Sequence, residues 1–317
     1  MTEAPSGGHA PAYSDQARAE FAEMTADFSG GDEWNAVVAA FGDYLHQGID
    51  LDPWSGVASR IEGCVESGRA GSFIRLGDGE GNLLALALDE YPVLAEECAR
   101  STSIRHLGSP ELLPSAADEL LPALQATLRN ATLIGFPGPF GAQLMIKRWS
   151  NPRPAHGLIS VHHYLTRFAS ELGLETKTGA PAGFHRGLLP HYEQLIRGRD
   201  VGIVTCHEQL APALRERMGA TRVDLRPVPK QAKFAEDPGN DTGHWPRRYR
   251  ELTAELREIE PGKLWFVAAG MVGKAYCETI RAAGGVAVDI GHAADVWVGM
   301  RTRNYDQAEV LATWSIV

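Results

Sequence analysis

The sequence predicts an α/β protein: a Rossmann-like, mostly parallel sheet with helices on both faces, preceded by an N-terminal helical segment. Two observations predict it. Short apolar runs bounded by Gly or polar residues recur at 72–76, 132–136, 200–205, 223–228, 264–268 and 286–290. Helical patterns separate them at 83–88, 116–128, 188–197, 210–218, 249–259 and 273–283. Strands of about five residues alternating with longer helices indicate a parallel sheet covered on both faces.

Taken in order, residues 1–30 are rich in small, polar and acidic types and read as a mobile leader with a loose helix. Residues 31–70 read as a helical segment. Val37, Val38, Phe41 and Leu45 fall on one helical face, and Val57, Ile61 and Val65 on another. Residues 71–317 then form the Rossmann-like domain. Two stretches break its alternation. Residues 136–140, in the context GFPGPFG, read as a turn-rich loop leaving a strand. Residues 230–248 mix Pro, Gly, Asn, Asp and basic side chains without periodicity and read as a long surface loop, the kind that often binds an acceptor or closes a site.

Composition narrows the function classes. In 317 residues, 30 Lys+Arg stand against 40 Asp+Glu, a net charge of −10, with 44% hydrophobic and 22% charged residues. That is an ordinary globular balance, long enough to bury a core without staples. A net acidic chain is a poor binder of phosphate backbones, so nucleic acid is not an expected partner. The four cysteines, Cys64, Cys98, Cys206 and Cys277, form no CxxC pair and read as reduced thiols of a cytoplasmic protein. The start MTEAPSGGHAPAYSDQ lacks the basic and apolar regions of a signal peptide, and no run approaches the ~18 apolar residues of a membrane span.

The most informative stretch is Ser72-Phe-Ile-Arg-Leu-Gly-Asp-Gly-Glu-Gly-Asn82. A β-type run enters a loop where Gly77, Gly79 and Gly81 alternate with Asp78 and Glu80, and a helix follows. Glycine lets a backbone approach a ligand closely. Two carboxylates from one tight loop suit Mg2+ or Mn2+, which keep positions open for phosphate oxygens. Arg75 is placed to contact phosphate or to hold a carboxylate. Two other readings stand beside this one. A dinucleotide or S-adenosylmethionine loop would want GxGxxG spacing and an acid closing the next strand, about 20 residues on, and neither is present. A tight turn whose carboxylates cap the following helix would need no ligand.

The C-terminal third supplies a second cluster. Leu264-Trp-Phe-Val-Ala-Ala-Gly-Met-Val-Gly-Lys274 reads as a buried strand, a turn through Gly270 and Gly273, and a helix start whose amides and Lys274 favour anions. Its spacing is not that of a Walker A loop, and close helix–sheet packing explains the glycines equally well. The strand at 286–290 runs into Asp289, Gly291, His292 and Asp295, where ligands of open α/β sheets bind. Asp289 and His292 are the candidates for a general base, and Asp295 for a ribose contact. Other features take bland readings. His162 and His163 are adjacent and point to different helix faces. Trp245 with Arg247, Arg248 and Arg250 either meets an anion or forms a solvated basic face.

FIRLGDGEGNLL, together with FVAAGMVGKAYCETIRAAGGVAVDIGHAADVW, resembles the GT-D fold family of glycosyltransferases. The resemblance spans roughly residues 72–301 in layout and is specific at the two motifs. It implies a metal-dependent transferase moving a sugar from a nucleotide-diphosphate donor, UDP-type by preference, to a hydroxyl acceptor. It implies that Asp78 and Glu80 hold Mn2+ or Mg2+ on the diphosphate, with Arg75, Gly77, Gly79, Gly270, Gly273, Lys274 and Asp295 around the donor. Residues 227–234 fall near where the family leads toward that donor.

Overall fold

The computed structural model describes residues 13–43, 53–148, 151–234, 243–302 and 308–317. Leu45, the first part of the leader and residues 235–242 of the long loop lie outside the described residues.

Among those described, seven strands form one all-parallel sheet: β1 Gly71–Arg75, β2 Leu133–Phe136, β3 Thr178–Pro181, β4 Asp200–Thr205, β5 Arg222–Pro227, β6 Leu264–Val267 and β7 Val286–Asp289, in the order β3-β2-β1-β7-β6-β4-β5. The α/β class read from the sequence is the architecture present. Six strands lie within a residue or so of the apolar runs. The seventh, β3, is the short segment TGAP. It sits at the sheet edge, paired only with β2, where Pro181 removes no donor that a further strand would need.

Alternate side chains sort the strands onto two faces, as the twofold period of a pleated strand requires. Ile74, Ile134, Val204, Trp265, Val267 and Ala287 join one buried cluster. Phe73, Leu133, Ile203, Phe266 and Val288 join the other. The N-terminal helices divide in the same way. Helix α1 (Asp15–Asp27) packs Ala17 and Met24 in a third cluster with Leu94, Cys98 and Ile159. Helix α2 (Gly31–Ala40) puts Val37 and Val38 on the first face, while α3 (Pro53–Glu66) puts Val57 and Ile61 on the second. Residues 15–27 are thus an ordered part of the fold. Ser14 caps α1 by accepting the Ala17 amide at 3.1 Å, and with only two side chains buried the helix leaves little periodicity to read.

Three helices position the site: α4 (Asp78–Leu84), α5 (Pro92–His106) and α6 (Leu121–Asn130) follow β1. Helices α7 (Pro139–Arg148) and α8 (Pro152–Arg167) follow β2. The loop expected at 136–140 is therefore shorter: Pro139 already opens a helix, where its missing N–H costs nothing. The segment 230–248 also departs from a surface loop. Trp245 is fully buried and its indole N–H donates to Ser115 Oγ at 3.0 Å. Arg248 pairs with Glu255 at 2.6 Å and Arg250 with Glu119, so this cluster is built into the fold.

Candidate functional site

After β3 the chain crosses to the far side of the sheet and returns to place β7 beside β1. Strand order therefore reverses between these two, the place where open α/β sheets leave a crevice at their carboxyl ends. A cavity of about 210 Å³ lies there. Its wall comes from the segments after five strands: Arg75 and Asp78 after β1, His207 after β4, Lys230 after β5, Gly270 after β6 and His292 after β7. Pro229, Gln231 and Phe234 of the 227–234 segment also line it.

The GDGEG motif is not a loop beside this cavity but the opening of α4. Gly77 is the N-cap, and its N–H donates to Glu80 Oε2 at 2.9 Å, half of a capping box. The glycines serve close packing. A Cβ on Gly79 would sit 3.3 Å from His106 Nε2, and one on Gly81 would sit 1.7 Å from the Gly157 carbonyl oxygen of α8. This contact fixes what α8 presents. Arg153 Nη1 donates to Asp78 Oδ2 at 2.7 Å, and Asn82 Nδ2 holds the Arg153 carbonyl at 3.1 Å.

Lys274, on the helix α12 that spans Gly273–Ala282, reaches back to the same place. Its ammonium lies 2.6 Å from Glu80 Oε1, 3.0 Å from Asp289 Oδ2 and 3.2 Å from the Gly270 carbonyl oxygen. Three protons thus meet three oxygens. Burial disfavours the charge, but Asp289 and Glu80 outweigh it and hold this lysine above its usual range. Asp289, 2% exposed, has Arg75 Nη2 at 3.5 Å and accepts the Gly291 amide at 3.0 Å. Burial opposes its ionisation, yet Arg75 and Lys274 keep the carboxyl below the ordinary range. Gly291, at φ +46°, leaves room for Arg75: a Cβ there would sit 2.0 Å from Nη2. Gly270, at φ +60°, is likewise pressed by Gln231, whereas Gly273 allows α12 to close on Val267 of β6.

The two base candidates separate here. Asp289 is locked in ion pairs and stays ionised. His292 has one nitrogen engaged, Nδ1 lying 2.9 Å from His185 Nε2. His185 Nδ1 is 3.2 Å from the Ala182 carbonyl, which only accepts, so that nitrogen carries the proton. Burial, then Arg75, keeps His185 far below the usual imidazole range and hence neutral. Its Nε2 is therefore an acceptor, His292 Nδ1–H is the donor, and His292 Nε2 holds the basic lone pair.

Asp295 accepts from His207 Nε2 at 2.8 Å and from Thr302 Oγ1 at 2.7 Å. The Asp295 contact, then Cys206, pushes His207 up to about 9 against burial, so the ring is cationic at neutral pH. Asp295 is thus engaged by a cation as well as lining the cavity.

Of the residues named from sequence, Arg75, Gly77, Asp78, Gly79, Glu80, Gly270, Lys274, His292 and Asp295 line this cavity; Asp289 lies behind Lys274, and Gly273 serves packing. The donor set does not fit a metal chelated by Asp78 and Glu80. Glu80 has one oxygen on the Gly77 amide and the other 2.6 Å from an ammonium, which repels a second cation at that atom. Asp78 is held by Arg153. Among the described residues no group of three or more His, Cys, Asp or Glu is arranged for a metal.

Sequence reasoning missed Arg153, His185, Cys206 and His207. The last two directly follow β4, so the carboxyl-end rule applied to every strand would have found them. Arg153 and His185 sit in helical turns with no local signal. The chain matches no protein-family model, no curated protein and no solved structure.

Proposed function

We propose that this chain is a glycosyltransferase that moves a sugar from a nucleotide-diphosphate donor to a hydroxyl acceptor. The observation that supports it is the charge balance of the cavity. Its carboxylates are already matched: Asp78 by Arg153, Glu80 and Asp289 by Lys274, Asp295 by His207. Arg75 adds a second cation beside Asp289 and exposed Lys230 another at the wall. A pocket whose acids are neutralised and whose surplus charge is positive suits an anion such as a diphosphate. The GT-D resemblance of the two motifs supplies the reaction class.

In this reading Arg75, Lys230 and His207 face the diphosphate and stabilise the charge that grows as the sugar C1–O bond breaks. The acceptor oxygen forms the new bond to C1, and its proton passes to His292 through Nε2, which lies just beneath the cavity surface. The nucleoside diphosphate leaves with the bonding electron pair. No step is assigned to a metal.

An assay of nucleoside diphosphate released from a panel of nucleotide sugars, with a mixed hydroxyl-acceptor pool, tests this. Release from one donor that falls by about 10²-fold or more in His292→Ala supports it. No release from any donor, with methylation from S-adenosylmethionine instead, would replace it with a methyltransferase.

A further inference from the structure

We infer that Lys274 is the resident cation of this site, its ammonium filling the place between Glu80 and Asp289 that a divalent ion would otherwise take. Glu80 Oε1, Asp289 Oδ2 and the Gly270 carbonyl surround Nζ at 2.6, 3.0 and 3.2 Å. Two carboxylates and a carbonyl are the donors that hard divalent cations choose. They converge from three separate segments, after β1, β6 and β7, so the pocket is organised by the fold rather than by one flexible loop. Lys274 is 3% exposed and Asp289 2%, which makes an empty pocket costly. Two buried carboxylates without a counter-charge would repel each other and forfeit solvation.

An ammonium and a metal ion do this work differently. The lysine is covalently fixed, always present, and unable to open a coordination position toward a phosphate. It organises the Gly270 turn and cancels the acids, leaving Arg75, His207 and Lys230 to meet the ligand. The placement of Lys274 stands on geometry alone. Its consequence, that a donor diphosphate binds without a divalent ion, rests on the function proposed above.

The corollary is that the lysine masks a cation site. Shortening it would leave two carboxylates, one carbonyl and the volume of a side chain. Mn2+ is titrated into the full-length protein without nucleotide, the free ion being followed by electron paramagnetic resonance. Wild type, Lys274→Ala, Lys274→Met and Glu80→Gln are compared, and each melting temperature is measured in Mn2+ and in EDTA. Wild type should leave the free-ion signal and its melting temperature unchanged. Lys274→Ala should take up one equivalent and recover several degrees of stability, or its fold, when Mn2+ is added. Lys274→Met, whose stem fills the space, should respond less. Stoichiometric Mn2+ uptake by wild type that vanishes in Glu80→Gln would overturn the inference, as would a Lys274→Ala variant that Mn2+ neither binds nor rescues. Neither result depends on whether any nucleotide binds.

Discussion

Gly81 packs its α-carbon against the carbonyl of Gly157, so closely that a methyl group on Gly81 would lie 1.7 Å from that oxygen; the reciprocal Cβ on Gly157 would lie 2.1 Å from the Asp78 carbonyl. Helix α8 therefore crosses α4 backbone to backbone, which carries Arg153 to Asp78 and His156 to Asn82, at 2.7 and 2.6 Å. The last glycine of GDGEG is a helix-crossing residue, and the site's charge pairing depends on it.

Gly81→Ala should accordingly destabilise the protein by about 3 kcal/mol or more, because backbone atoms on both sides must move. Ala at Gly31, with open space around its Cβ, is the control and should change little. Chemical denaturation of both variants checks this.

The buried Glu80–Lys274–Asp289 group makes a second prediction. Asp289→Asn leaves Lys274 with one carboxylate and Arg75 without its partner, and should cost about 3–5 kcal/mol. The wild-type contribution has a defined pH window. Asp289 is depressed in the fold, so its stabilisation is present above the unfolded value of about 3.9 and disappears as pH falls through the lower folded value. Acid unfolding followed by circular dichroism should therefore begin at higher pH in Asp289→Asn.

His207 behaves in the opposite sense. Its folded value is raised to about 9, so its stabilisation is complete below about 6.5 and disappears as pH rises through 9. The loss should be on the order of 2 kcal/mol after allowing for partial solvent screening. Melting temperatures between pH 6 and 10 should decline in wild type, and Asp295→Asn should flatten that decline.

The hydrogen-bond order from Ala182 through His185 to His292 predicts that neutral His292 carries its proton on Nδ1. Side-chain 15N spectra should show that tautomer in wild type, and His185→Phe, which removes the acceptor, should redistribute it. A protonated Nε2 in the neutral wild-type ring would refute the order.

Much of the sheet was legible because β1, β2 and β4 to β7 are apolar runs between glycines and polar residues. TGAP of β3 was not, since its Gly and Pro erase the strand signal and only an edge position tolerates them. Helix α5 hid because Ser101, Thr102 and Ser103 are buried in it, so polarity no longer marks the exposed face. At the site, side chains next to a strand end could be read from spacing, and Arg75, Glu80, Lys274, Asp289 and His292 were. What they touch could not. Arg153 lies 75 residues from Asp78, and His185 lies 107 from His292, and only the helix crossing and the sheet order bring them together. Glu80 was read as a metal ligand because the motif alone does not reveal that Lys274 reaches it from across the fold.

The central claim is that a nucleoside diphosphate binds at the carboxyl ends of β1, β4, β5, β6 and β7. Calorimetric titration of the four common nucleoside diphosphates in EDTA, with S-adenosylmethionine as control, tests it on wild type and on Lys230→Met, an exposed wall residue whose loss should leave the fold intact. The account predicts saturable binding of one diphosphate, with affinity reduced several-fold in Lys230→Met and S-adenosylmethionine inert. No binding of any diphosphate, with or without added Mn2+, or binding of S-adenosylmethionine alone, would contradict it.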